Sequence, residues 1–63
     1  MTAKEAESVK PGDQIIPKSG LCKGRVGMVT QVTDSDKKKR ITYDCAGAIC
    51  TTTHERVILH YRA

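Results

Sequence analysis

Two groups of side chains in this 63-residue chain are of types that do chemistry. The first is cationic. Lys18, Lys23 and Arg25 flank a glycine-punctuated loop, and Lys37, Lys38, Lys39 and Arg40 form an uninterrupted basic run. Ammonium and guanidinium groups at this density hold phosphate oxygens by charge-assisted hydrogen bonds, with an affinity that falls as salt rises. The same run also suits a solvated hairpin tip, the usual setting of a charge run. The second group is Cys45-x4-Cys50-x3-His54-x5-His60, with Cys22 upstream. Thiolate and imidazole are zinc ligands. The spacing lacks a cysteine pair held in a tight zinc knuckle, and a cysteine more often serves as a small buried hydrophobe. No metal site and no cofactor are expected. Cys50 and His54 also invite comparison with a thiolate–imidazole pair. There is no third orienting group and little room for a substrate cleft, so no catalytic residue is assigned.

The elements that must position these groups read as short strands. Thr2 to Glu7 is polar and helix-compatible, yet short and without an evident cap, so residues 1–8 are expected as a flexible N-terminal segment. Lys10-Pro11-Gly12-Asp13 is a turn. A first strand follows at about 13–16 and stops at Pro17, which cannot donate to a ladder. Lys18 to Gly24 is a loop in which Gly20 and Gly24 tolerate positive φ. A second strand runs from about Arg25 to Thr33. Gly27 lies inside it and marks a bulge, a bend or a close backbone approach. Asp34-Ser35-Asp36 is turn chemistry, and the basic run enters a third strand. There Ile41, Tyr43 and Cys45 alternate with Arg40, Thr42 and Asp44, which sends the first three inward. Ala46-Gly47 is a tight turn, a fourth strand spans about 48–53, and a last strand starts at Val57. Thr51-Thr52-Thr53 suits an exposed strand face, and an open edge there would be able to pair with a partner strand. About five short strands with tight connections fit a small barrel or sandwich occupying residues 9–63.

Gly12-Asp13-Gln14-Ile15, Lys18-Ser19-Gly20 and Lys23-Gly24-Arg25-Val26-Gly27-Met28-Val29 together resemble the KOW motif of ribosomal large-subunit proteins and transcription elongation factors. That motif reads basic-Gly-x-x-Gly-x-Val behind a Gly-Asp-x-hydrophobic strand. The resemblance covers Val9 to about Tyr43. It implies an all-β, SH3-like small barrel of about five antiparallel strands. It also implies a short 3-10 turn before the last strand, which Thr53 would cap, and RNA, polymerase or ribosomal partners. In such a barrel the two basic loops can share one rim. The segment around Gly12 and Lys18-Ser19-Gly20 is also similar to the type II dihydrofolate reductases, small chains of the same barrel that assemble as tetramers. Their Val-Gln-Ile-Tyr active-site stretch is absent: the comparable region reads Ala48-Ile49-Cys50-Thr51-Thr52-Thr53. That similarity supports the barrel and argues against the enzyme.

Composition bounds the rest. The formal net charge is +4, with 7 acidic residues interspersed among 11 basic ones, a mild lean toward anionic partners. Phe and Trp are absent and Tyr numbers 2, so the core is aliphatic and thin, and an oligomer or a bound partner would help to hold it. Three cysteines, no apolar signal segment and no span-length apolar stretch lead to the expectation of free thiols in the cytoplasm, away from a membrane. The functional expectation is a non-enzymatic module that contacts nucleic acid, or a transcription or translation machine, through Lys18, Lys23, Arg25 and Lys37 to Arg40. The alternative is a protein-interaction module, an accessory subunit or inhibitor of a larger enzyme.

Overall fold

Five short strands pair in the order β4-β3-β2-β1-β5, each antiparallel to its neighbours. They are β1 (Gln14–Pro17), β2 (Gly27–Ser35), β3 (Lys38–Cys45), β4 (Ala48–Thr53) and β5 (Val57–Tyr61). A 3-10 turn, η1 (His54–Arg56), precedes the last strand, and one short helix, α1 (Ala3–Ser8), precedes the first. The computed structural model describes residues 1–35 and 38–63. Strand number, direction and the 3-10 turn are as the sequence leads one to expect. The ladder is not closed: β4 and β5 are its two edges. Between them stands η1, held from one side by Lys39 N–H on His54 Nδ1 and from the other by Lys18 N–H on the Arg56 carbonyl.

The strands form where β-branched and apolar residues alternate with polar ones. On β3, Ile41, Tyr43 and Cys45 are buried and their alternates are not. Ile15, Val29, Ile41 and Val57 are almost fully buried and meet Val9, Cys22, Tyr43 and Cys45 in one cluster. The sheet bends at two register shifts. One lies between Val29 and Gln31, which oppose Tyr43 and Thr42, so that Thr30 is the extra residue. The other lies between Gln14 and Ile15 against β5. Gly27 is therefore not the bulge. It is the close approach: a Cβ there would stand 2.8 Å from Cδ2 of Tyr43, so only glycine lets the ring lie on β2. Pro17 is the last residue of β1 rather than the residue beyond it, and its carbonyl accepts from Gly24 N–H at 3.0 Å.

Three local details differ from the sequence reading. The strands of the basic hairpin reach further than the turn residues suggest, with Asp34 and Ser35 paired to Lys39 and Lys38. Asp36 and Lys37, where that turn and one candidate lysine were placed, lie outside the described residues. Thr53 makes no side-chain cap bond to η1. The helix, by contrast, is capped: Glu5 N–H donates to Thr2 Oγ1 at 3.1 Å and Thr2 N–H donates to Glu5 Oε1 at 2.9 Å. Thr2-x-x-Glu5 is the reciprocal capping box, a signal present in the sequence and passed over there. Ala6 is the residue that α1 buries.

Candidate nucleic-acid interface

Backbone pairing brings part of the basic set together at η1. Lys38 and Arg40 point from the exposed face of β3, where Arg40 opposes Thr53 of β4. The hairpin hands the chain from Thr53 straight into His54–Arg56, so Glu55 and Arg56 emerge beside them. Lys38 Nζ lies 2.8 Å from Glu55 Oε1, and Lys18 Nζ donates to the Glu55 carbonyl at 3.4 Å. Lys38, Arg40, Thr51, Thr52, Thr53, Glu55 and Arg56 line an open pocket of about 310 Å³. Arg56 was not singled out from the sequence. It sits in a short polar segment, and nothing in its spacing places it beside Arg40; only the turn does.

The remaining candidates behave differently. The Lys39 ammonium pairs with Asp34, its side chain is 27% exposed, and its backbone N–H is taken by His54. Lys23 and Arg25 are exposed on the loop between β1 and β2. Among the described residues no hydrogen bond or ion pair links their side chains to the η1 group. The structure thus draws Lys18, Lys38 and Arg40 together with Arg56, leaves Lys23 and Arg25 on their own loop, and engages Lys39 elsewhere.

Chemically the pocket offers two guanidinium groups, an ammonium and the hydroxyls of Thr51 and Thr53, which share a face with Arg40 and are donors for phosphate oxygens. It offers no ring for a base to stack on. Tyr43 is buried, as its alternation implied. Tyr61 is 60% exposed but ends β5, about 13 Å of strand from Val57, which adjoins η1.

The cysteines turn inward. Cys22 and Cys45 are buried, and Cys50, opposite Tyr43, packs partly against the same cluster. Cys22 Sγ lies 4.0 Å from the Cys45 carbonyl oxygen. His54 is buried with Nδ1 accepting from Lys39, and His60 is exposed on β5. Among the described residues no three of His, Cys, Asp and Glu gather in a metal-binding arrangement. The Cys22 thiol is pushed up to about 11, first by its hydrogen bond with Cys45 and then by burial. The folded chain therefore keeps a proton that an unfolded thiol of ordinary value, 9.0, releases. By linkage this contribution to stability is complete below pH 9 and is lost as pH rises toward 11. Thermal melts from pH 8 to 11 should fall less steeply for Cys22→Ala than for the parent chain; equal slopes would remove Cys22 from the account.

Comparison with known protein families, curated proteins and solved structures finds no match to this chain. The assignment of a role rests on the geometry and chemistry of the pocket and sheet.

Proposed function

We propose that this chain is a non-enzymatic binding module that holds the phosphate backbone of nucleic acid, RNA or DNA, by itself or within a transcription or translation machine. The observation that carries the reading is the convergence of Lys18, Lys38, Arg40 and Arg56 around one three-residue turn, beside Thr51 and Thr53 on the face of β4 that Arg40 shares. The resemblance to the KOW motif points the same way. Because the pocket carries cations and no stacking ring, recognition is electrostatic and indifferent to base sequence. A duplex, with its denser phosphates, binds more tightly than a single strand.

The test is a fluorescence titration of duplex and single-stranded oligonucleotides across a salt series. Lys38 and Lys39 are paired with acids, so a phosphate at Lys38 replaces a carboxylate and adds no net contact; among the described residues at η1, Lys18, Arg40 and Arg56 are the cations that set the salt dependence. Three net cation–phosphate contacts give a slope of log K against log salt of about −2.7, or about a fortyfold loss from 50 to 200 mM salt. The double variant Arg40→Ala/Arg56→Ala should lose about tenfold or more at 50 mM and flatten the slope to about −1. A parent chain that binds no polyanion at low salt ends this reading.

One observation favours the alternative of a protein-interaction module. Tyr61, Gln14, Met28, Asp44 and Ile49 stand opposite one another across all five strands. In that row Met28 is 50% and Ile49 64% exposed. Apolar side chains aligned on one outer face suit a protein partner. Failure of polyanion binding, with retention of a partner sensitive to Met28→Lys or Ile49→Lys, would select it.

A further inference from the structure

The pocket at η1 already contains an anion supplied by the chain. Glu55 is part of its wall, and its Oε1 lies 2.8 Å from Lys38 Nζ with both side chains 56% exposed. A pair so exposed adds little to folding. Lys38 holds the Glu55 carboxyl below the ordinary carboxylate value, so Glu55 is charged at neutral pH. The same opening is lined by Arg40 and Arg56, for which no acidic partner is found among the described residues. The Thr53 hydroxyl, free of the cap bond its position would allow, lines the opening as well. One carboxylate thus faces a donor set larger than it uses.

Resting on the nucleic-acid reading above, we propose that this pocket is a single-phosphate subsite and that Glu55 is its internal competitor. An entering phosphate takes the Lys38 ammonium together with the Arg40 and Arg56 guanidinium groups, and the Glu55 side chain turns out to solvent. The exchange breaks no covalent bond and needs no movement of the sheet, because Lys38 and Glu55 are both on the surface. Glu55 sets the threshold of binding: it excludes isolated weak anions and yields to a phosphate presented by a polyanion whose neighbours are held by Lys18 and the other cations.

The experiment compares the parent chain, Glu55→Gln, and Glu7→Gln, which makes the same change in net charge on exposed α1. Each is titrated with a 20-base-pair duplex and, separately, with inorganic tripolyphosphate followed by amide chemical shifts. A unit negative charge about 6 Å away across water weakens anion binding about threefold. Glu55→Gln should therefore bind the duplex about three- to tenfold more tightly at low salt, while Glu7→Gln changes little. Tripolyphosphate should shift the Thr52, Thr53 and Arg56 amides at lower concentration in Glu55→Gln. Duplex binding that Glu55→Gln leaves unchanged or weakens overturns the competitor while the nucleic-acid reading stands. Tripolyphosphate binding at η1 enhanced by Glu55→Gln, with no duplex binding, keeps the subsite and ends the nucleic-acid reading. No response to either anion ends both.

Discussion

Replacing Ile41 with alanine is expected to remove about 2–5 kcal/mol of stability, the largest effect of any single change in the sheet. Ile41 sits in the middle of β3, paired with Val32 on one side and Thr52 on the other, and none of it is exposed. Its neighbours in the core are mostly small: Val9, Val29, Val57 and the buried cysteines. No large aromatic beyond Tyr43 can move into the space, and Tyr43 is pinned on Gly27. The cavity therefore stays open, which is the costly case. A domain of this length holds only about 3–9 kcal/mol in all, so the variant stands near its unfolding midpoint at room temperature. Urea titration monitored by circular dichroism reads the loss directly. Ile41→Val, which deletes one methylene, should cost about 0.5–1.5 kcal/mol by the same titration. A loss below about 1 kcal/mol for the alanine variant would mean that the core collapses onto the gap and is less tightly packed than its burial implies.

Asp13→Ala is expected to cost about 2–4 kcal/mol, for a polar reason. The Asp13 carboxylate is 1% exposed and acts as a staple. Its Oδ2 accepts from Lys10 N–H at 3.1 Å and its Oδ1 from Ala63 N–H at 3.0 Å. The Asp13 backbone joins the same knot. Its N–H donates to the Lys10 carbonyl and its carbonyl accepts from Val29 N–H, while Gly12 N–H donates to the Val29 carbonyl. Hydrogen bonds to a charged acceptor contribute about 1.5–3 kcal/mol each, and removing the acceptor leaves two N–H groups without a partner. Asp13→Asn keeps one acceptor oxygen and should fall between the two. Hydrogen exchange separates this loss from a core defect: the Lys10 and Ala63 amides should lose protection first in Asp13→Ala, whereas Ile41→Ala should lower protection throughout the sheet. A uniform loss in Asp13→Ala would show that the residue holds the whole fold rather than the turn.

The same two residues show what was legible in the sequence. Ile41 belongs to a strict alternation, and its burial follows from the period of a strand alone. Asp13 reads as part of a turn, but nothing near it in the chain announces Ala63, which reaches it only because β5 pairs with β1. The strands, the Ala46-Gly47 hairpin and the burial of Tyr43 and Cys45 are all local or periodic properties. In that hairpin both central residues have positive φ, Ala46 at 53° and Gly47 at 87°.

What only the tertiary structure decided lies between elements distant in the chain. Of the basic residues on the two loops, Lys18 and Lys38 both reach Glu55 and Arg40 lies beside them, while among the described residues no bond ties Lys23 or Arg25 to that turn. Whether a lysine is available depends on its partners in space, and Asp34 and Glu55 engage Lys39 and Lys38. Arg56 enters the group because a three-residue turn sets it beside β3. Gly27 in the sequence admits a bulge, a bend or a close approach; Tyr43, sixteen residues on, lies against it and decides for the close approach, with the bulge three residues away at Thr30. Periodicity and turn chemistry act over a few residues, so the sequence by itself determined the strands and their inward faces. Strand order, bulge position and the meeting of charges arise from pairing across the sheet, which one chain read end to end does not contain.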